Sequence, residues 1–579
     1  MRFTMSIDRL PAPRAALFLI LPAVLAACAS PAPRHAVAPS PTSAAVTPVA
    51  PGQDLMLKLL AAQFALQDND LAAAASGFAD AAALSDDPAL SEEATRLALS
   101  QKDWPLATRS LARWQRLAPN DAGVAQARAW IALGEKRQDA ARDELVALAR
   151  RGGDASWRLV AQLLLNADDK PAAVALLDDL VKSVASSASE SNQVALSQLA
   201  FKLGDKALAR RIVDAAVVRF HGIDAYTWSA RLAIDGGDKV SARAIYAEGL
   251  KREPESLRLR SGYAALLADS GDNAAAAHAL VAGPQDDTTY AARAAYAARA
   301  VDKAALTELY REVESDKSER SAKRLYLLGQ IAELTGRLDA ALGWYREVPI
   351  EDEHGFDAQL RVALVLDQLD RVPQALDQLH RLAEMAAGDS EQQRTVWLAE
   401  ADLLSHRQRQ ADALAVYDRA LATLPDDSRL LYARALLAVD QGDLATGERD
   451  LRRVIELRPD DAEALNALGY TLADRSAASD PRQREALELI ERALKLKPDE
   501  PAIIDSMGWV RYRLGELDAS VQELRRAYAK QPDADIAAHL GEVLWAQGQR
   551  DEAKRIWDEG RKKDAKNKAL LETIRRMTR

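Results

Sequence analysis

Apolar residues from position 54 onward recur three or four positions apart, as in Leu59, Ala62 and Leu66. This spacing gives each segment one apolar stripe and predicts amphipathic helices. Turn signals interrupt the pattern at short intervals, so each predicted helix is short. Alanine-rich stretches such as 72–75 favour helix, and aromatic residues make up only 5% of the chain. The pattern predicts an all-α protein.

A glycine followed by a polar residue recurs along the chain and marks predicted turns. Each interval between successive glycines of this kind is one, two or three times a repeat length of about 34 residues. Prolines near the C-terminus recur at the same step, with one longer interval between Pro459 and Pro498. A chain of 579 residues is therefore better explained by one repeat array than by several ordinary domains. The glycines are Gly134, Gly204, Gly237, Gly271, Gly336, Gly442, Gly515 and Gly548, and the prolines are Pro425, Pro459, Pro498 and Pro532.

The repeating unit resembles the tetratricopeptide repeat, in which small residues let two helices, A and B, approach closely. Its clearest copy runs from Pro501 to about Ala534, with Gly508 in helix A and Gly515 at the turn. The copy before it holds five extra residues around 476–481, which we expect to lengthen the turn between its helices. The resemblance implies a right-handed α-solenoid of about fifteen hairpins. Further small residues at the crossing positions are Gly469, Gly541, Ala413, Ala486 and Ala553.

Two segments of the chain resemble the tetratricopeptide repeat to different degrees. Residues 321–560 are predicted to be tetratricopeptide repeats, and residues 54–320 degenerate hairpins of the same kind, with unrelated α-hairpins as the alternative. Residues 561–579 hold eight basic and two acidic residues and are predicted to form a capping helix. Contact of this basic segment with anionic lipid or an acidic partner is the alternative to a solvated cap.

The N-terminus has the features of an export signal. Residues 1–27 combine three arginines with a short apolar run, too short to span a bilayer, and end in Leu-Ala-Ala before Cys28. This resembles the lipobox of bacterial lipoproteins, which implies a lipid on Cys28; an ordinary signal peptide with a chance cysteine is the alternative. Ala29 after the cysteine implies the outer membrane. Residues 28–53 are rich in proline and alanine and are predicted to be a tether.

The net charge argues against a nucleic-acid partner, and the motif content argues against enzyme activity. A net charge of -10 disfavours a nucleic-acid partner, and a single cysteine excludes disulfides, cysteine zinc sites and iron–sulfur clusters. The seven histidines are scattered, and phosphate-binding, nucleophile-elbow and metal-ligand motifs are absent. We therefore expect no enzyme activity, metal site or cofactor.

In tetratricopeptide arrays, helix A lines a concave groove, and carrying those positions over residue by residue gives a predicted groove for protein partners. It is rich in tyrosine and tryptophan, the commonest anchors of interfaces. Packing of these aromatics against a neighbouring helix is the alternative. Asn466 lacks basic neighbours, which disfavours recognition of chaperone C-termini. The predicted groove consists of Tyr432, Asn466, Tyr470, Asp505, Trp509, Tyr512, His539, Glu542 and Trp545.

Residues 460–560 resemble most closely a group of proteobacterial outer-membrane lipoproteins with tetratricopeptide repeats. A member of that group binds a periplasmic carboxy-terminal processing protease and helps it degrade cell-wall cross-link hydrolases. The resemblance implies a membrane-anchored adaptor whose partners are periplasmic proteins. A scaffold for envelope assembly or polysaccharide export is the second hypothesis, and an enzyme is the third.

Overall fold

The computed structural model describes residue 50 and residues 53–184, 188–316, 320–477 and 480–579. Within these ranges the chain forms thirty-one α-helices and no strand. Its contacts divide it into two compact units, one on each side of residues 317–319. The export signal, Cys28 and nearly all of the tether lie outside the described residues. No helix within them is long and apolar enough to cross a membrane.

The N-terminal unit contains sixteen helices in fixed alternation. Each odd-numbered helix packs on the even-numbered helix that follows it, and each hairpin packs on the next. The helices are α1 (Leu55–Gln67), α2 (Leu71–Ala83), α3 (Pro88–Ser100), α4 (Trp104–Leu117), α5 (Ala122–Gly134), α6 (Gln138–Arg150), α7 (Gly153–Leu165), α8 (Lys170–Val184), α9 (Glu190–Lys202), α10 (Lys206–Phe220), α11 (Ile223–Asp235), α12 (Lys239–Arg252), α13 (Leu257–Asp269), α14 (Asn273–Ala279), α15 (Asp287–Arg299) and α16 (Lys303–Ser315).

The C-terminal unit continues the same alternation through seven hairpins and ends in one unpaired helix. That last helix, α31, packs mainly on α29. The helices are α17 (Ala322–Leu334), α18 (Leu338–Glu347), α19 (Gly355–Gln368), α20 (Val372–Met385), α21 (Ser390–His406), α22 (Gln410–Thr423), α23 (Ser428–Asp440), α24 (Leu444–Leu457), α25 (Ala462–Arg475), α26 (Arg482–Leu496), α27 (Pro501–Arg513), α28 (Leu517–Lys530), α29 (Ala534–Ala546), α30 (Arg550–Lys563) and α31 (Lys568–Met577). The prediction of an all-α solenoid is confirmed.

Glycines mark the turns between helices A and B because these turns need a left-handed residue. Seven of the eight predicted glycines adopt positive φ angles of 77–97°. Gly134 is the exception. It ends α5, where an added Cβ would lie 2.2 Å from the Trp104 ring, and the left-handed residue of this turn is Lys136. The prediction that Gly134 marks the turn itself was wrong, because this glycine is required by close packing.

Non-glycine residues fill the gaps in the glycine period. Asp370 and Gln408 adopt φ angles of 60° and 62° and divide the interval from Gly336 to Gly442 into three steps, each close to one repeat length. Val301 does the same between Gly271 and Gly336. Glycine counting therefore misses turns where the fold holds another residue in the left-handed region.

Small residues let the two helices of each hairpin meet. A Cβ added at Gly541 would lie 2.0 Å from the Trp557 ring, and one at Gly508 would lie 2.5 Å from Leu524. The turn between α25 and α26 is six residues long, against three between α27 and α28. Three of the five extra residues of that hairpin therefore lengthen the turn, as predicted, and the other two lengthen its helices by one residue each.

Candidate functional site: an aromatic and polar cluster in the C-terminal unit

The predicted groove lies on four odd-numbered helices of the C-terminal unit. Residues four positions apart on one helix share a face, which brings the members on α25, α27 and α29 together. Tyr432, on α23, packs among the hydrophobic residues of α23–α25. The cluster at the centre consists of Tyr470, Asp505, Trp509, Tyr512 and His539, and Asn466 lies one helical turn before Tyr470 on α25.

An ion pair between α27 and α29 forms the centre of this cluster. Asp505 and His539 are one repeat length apart, so they occupy equivalent positions in consecutive hairpins. Nδ1 of His539 donates a hydrogen bond of 2.8 Å to Oδ2 of Asp505, whose side chain is only 2% exposed. This contact joins two hairpins through groups that are shielded from water, so it is screened less than a surface pair.

Aromatic rings enclose the imidazole. Trp509 stacks on His539 with ring centroids 4.4 Å apart, and Tyr512 packs against Trp509 at 5.3 Å. From α25, the Tyr470 hydroxyl lies 3.3 Å from Nε2 of His539. His539 is therefore held by three consecutive hairpins, and its orientation is fixed by contacts at both ring nitrogens.

The pair holds a proton more tightly than either group does in water. Burial raises the pKa of Asp505 above its ordinary value, and the nearby His539 only partly opposes this effect. Burial alone lowers the pKa of His539, but the charges of Asp505, Glu542 and Asp474 outweigh it and raise that pKa. Two interacting groups of this kind titrate as a unit, so the folded pair retains its shared proton to higher pH.

Glu542 is paired with the C-terminal helix. Both terminal nitrogens of Arg576 on α31 donate to its two carboxylate oxygens, one of them at 2.9 Å. Glu542 is buried, whereas Arg576 is exposed. Arg576 was not among the predicted residues, although it lies one repeat length after Glu542, the spacing that also relates Asp505 to His539. Applying the repeat period to charged residues would have found it.

Trp545 belongs to a second aromatic pair at the end of the array. It stacks on Trp557 with centroids 5.5 Å apart, and the guanidinium of Arg550 lies 5.1 Å from its ring centroid. Cation–π contacts of this kind leave one ring face engaged by the chain itself. Trp545 is half-buried.

The nine predicted residues fall into two groups by burial. Trp509, Asp505, Glu542 and Asn466 are buried and pack inside the unit. The other five, Tyr432, Tyr470, Tyr512, His539 and Trp545, are half-buried. The packing that was the alternative for the aromatics therefore describes Trp509, while partner binding by the half-buried residues stays a prediction.

The polar groups of the cluster form a chain from Asp505 through His539 to the Tyr470 hydroxyl. Asp505, His539 and the Tyr470 hydroxyl are connected like a catalytic triad, but burial raises the pKa of Tyr470, which makes its hydroxyl a poor nucleophile. Within the described residues, no three potential ligands are grouped to hold a metal.

Comparisons with known proteins identify the repeats of this region. Residues 432–501 and 506–567 match the tetratricopeptide repeat family. A TPR repeat-containing protein of Pseudomonas aeruginosa is 43% identical over 215 residues, which cover 37% of this chain and 35% of that protein. Residues 432–501 and 506–567 are thus tetratricopeptide repeats, and the chain is similar to a bacterial protein that contains such repeats.

Shorter matches reach two further bacterial proteins. Cellulose synthase 2 operon protein C of Komagataeibacter xylinus is 30% identical over 28% of this chain and 12% of its own length. Bacteriophage adsorption protein A of Escherichia coli is 33% identical over 15% of this chain and 8% of its own length. The chain therefore spans about a third or less of the curated relatives that it matches.

The solved structures that align with the chain include proteins described as tetratricopeptide repeat proteins. One from Parabacteroides merdae aligns over 45% of this chain and 99% of its own, with 13% identity and a TM-score of 0.36. One chain of the APC/C hetero-tetramer Cut9–Hcn1 aligns over 91% of this chain and 96% of its own length, with 13% identity and a TM-score of 0.31. These similarities concern the fold alone.

Proposed function

We propose that this chain is a non-catalytic scaffold that binds protein partners through the half-buried residues of the predicted groove. One observation carries the proposal: a buried polar network holds Tyr470 and His539, and Tyr512 packs against Trp509, which stacks on His539. A surface that is ordered before binding loses less entropy when a partner docks. Tetratricopeptide repeats are protein-binding modules, which supports the same conclusion.

The scaffold is proposed to be anchored by lipid to the outer membrane, facing the periplasm. The support is the sequence around Cys28, which has the features of a lipobox, together with Ala29. Cys28→Ser should move the protein from the membrane to the soluble fraction of cells without changing its thermal unfolding. Retention of the variant in the membrane fraction would contradict the proposed anchor.

The proposed partners are a carboxy-terminal processing protease and the peptidoglycan hydrolases that it degrades. The support is the resemblance of residues 460–560 to a group of outer-membrane lipoproteins with an adaptor of this kind. Bringing enzyme and substrate to one scaffold raises their effective concentration. The similarity to cellulose synthase 2 operon protein C favours the second candidate, a scaffold for envelope assembly or polysaccharide export.

A pull-down from envelope extract distinguishes these partners. The full chain should retain a protease together with a cell-wall hydrolase; recovery of a synthase or assembly factors would favour the second candidate. Tyr512→Ala combined with Trp545→Ala should lose most of the bound partner. The matched control is Tyr296→Ala, which removes a half-buried tyrosine from the N-terminal unit. Equal recovery by all three proteins would contradict binding through the predicted groove.

A further inference from the structure

The first helix of the N-terminal unit presents an apolar face to solvent. On α1, Met56, Leu57, Leu60 and Phe64 are 64%, 49%, 48% and 62% exposed. Helical spacing places the four side chains on one side of α1, while the opposite side packs into the core of the unit. This exposed stripe is distinct from the stripe of Leu59, Ala62 and Leu66, which predicts the helix and faces the core.

No charge interrupts this face. The other exposed residues of α1 are Ala61, Gln63 and Gln67, and Lys58 is half-buried and paired with Asp80 at 2.7 Å. In the rest of the described chain, no helix carries more than one exposed large apolar side chain. The cluster on α1 is therefore unusual for this protein, and exposed apolar patches mark interaction sites.

The position of α1 close to Cys28 in the sequence indicates which surface its apolar face contacts. Only the 24 residues from 29 to 52 separate Cys28 from the start of the folded unit. A proline-rich chain of that length reaches at most about 75 Å, at about 3.1 Å per residue. An anchor at Cys28 therefore keeps α1 within reach of the lipid surface, and a tethered contact needs little intrinsic affinity to be populated.

We propose that the α1 face lies on the lipid bilayer, with Leu60 and Phe64 among its most deeply inserted side chains. The proposal rests on the proposed anchor at Cys28. Because the face is uncharged, inserting it requires no desolvation of an ion. Residues 53–100 carry eight acidic and two basic side chains, a net charge of -6. This charge disfavours both a second copy of the same face and an anionic lipid surface, so the bilayer surface that fits is zwitterionic.

The test supplies the anchor artificially, so that its result does not depend on the lipid at Cys28. The chain from residue 28, with Cys28→Ser and an N-terminal hexahistidine, is bound to phosphatidylcholine vesicles that contain a nickel-chelating lipid. Cys28 is the only cysteine, so Phe64→Cys provides a single site for an environment-sensitive fluorophore. Val240→Cys, at a position that is 82% exposed in the same unit, is the matched control.

Nitroxide-labelled lipids should quench the fluorophore at position 64 several-fold more than the one at position 240. Adding Leu57→Gln and Leu60→Gln should reduce that quenching to the control level without changing thermal unfolding. Replacing half of the phosphatidylcholine with phosphatidylglycerol should weaken the quenching. Equal quenching at the two positions would overturn the proposal.

A fluorophore at position 64 that is already shielded without vesicles would also overturn the proposal. Sedimentation would then show whether the cover is a second copy or another part of the same chain. Failure of the anchor itself would appear separately, as Cys28→Ser protein that stays in the membrane fraction of cells while vesicle docking through the nickel lipid persists.

Discussion

The two units build the same hairpins from different side chains. In four hairpins of the C-terminal unit, glycine lies where helices A and B cross, as at Gly508 and Gly541, and a large side chain from helix B fills the space. In several hairpins of the N-terminal unit, alanine occupies the equivalent position, as at Ala129, Ala230 and Ala264, and is fully buried. Alanine is small enough for the crossing, so the hairpin persists where the glycine pattern is lost.

The links between hairpins differ as well. In the N-terminal unit, several are ion pairs between exposed groups, such as Lys206 with Asp235 and Lys239 with Asp269, each at 2.6 Å. In the C-terminal unit, Asp505 with His539 places a buried carboxylate between two hairpins, and Glu542 with Arg576 places one between the last hairpin and the unpaired helix α31. Since the N-terminal hairpins pack without such a network, the network is not a requirement of the fold. Tyr470 and Trp509 contact this network at His539.

Trp509 and Trp545 give the largest expected contrast, because the sequence assigns them to the same groove and the structure buries only one. Trp509→Ala should lower the free energy of unfolding of the C-terminal unit by about 3–5 kcal/mol, since it empties a packed site. Trp545→Ala should cost clearly less because this ring is half-buried. Thermal and urea unfolding of the two variants would measure the difference, and equal losses would contradict the assigned packing.

Gly541 tests the close crossing of helices A and B. Gly541→Ala should destabilise the unit by about 1–3 kcal/mol, because the new Cβ would overlap the Trp557 ring. Gly343→Ala is the control: it lies inside α18, where an added Cβ has no neighbour within 4 Å. That change should be neutral or stabilising by up to about 1 kcal/mol. An unchanged free energy of unfolding for Gly541→Ala, measured in urea, would show that the helices cross less closely than described.

The raised pKa values of Asp505 and His539 predict a smaller, pH-dependent effect on the stability of the C-terminal unit. The pKa of His539 is raised in the folded state, so its stabilisation is complete below the ordinary histidine pKa of about 6.5. It is lost as the pH rises through the folded value, and the raised pKa of Asp505 acts in the same direction. Between pH 6 and pH 9, the melting temperature should therefore fall more for the wild type than for His539→Gln.

Two further variants sharpen this pH test. His278→Gln, which alters an exposed histidine of the N-terminal unit, should keep the wild-type pH dependence. Asp505→Asn should lower the pKa of His539 in an NMR titration, since it removes the charge that holds the proton. A wild type and His539→Gln with the same pH dependence would contradict the coupling.

The smallest expected effect concerns the surface ion pairs of the N-terminal unit. Lys239→Ala removes a link to Asp269 in which both side chains are about half exposed. Such pairs contribute little because water and salt screen them, so the change should cost less than about 0.5 kcal/mol in urea unfolding. A loss as large as that of Gly541→Ala would erase the contrast between the two units.

The sequence predicts the helical array well, because period and crossing positions are local signals. It predicts fewer turns than the structure contains, because the turns were identified from glycines. Asp370 and Gln408 adopt left-handed conformations that their residue types do not indicate. It places the groove residues on one face but not their burial, because depth depends on the neighbouring hairpin. The exposed stripe of α1 was missed because apolar residues on both sides of a helix carry no sign of which side is covered.

The central claim is that the half-buried residues of the predicted groove meet a protein partner. A photocrosslinking amino acid placed at Tyr512 in cells tests it most directly, with the same substitution at Tyr296 as the control. The account predicts a crosslinked adduct to one defined envelope protein from position 512 and none from position 296. An adduct from neither position, or the same adducts from both, would contradict it.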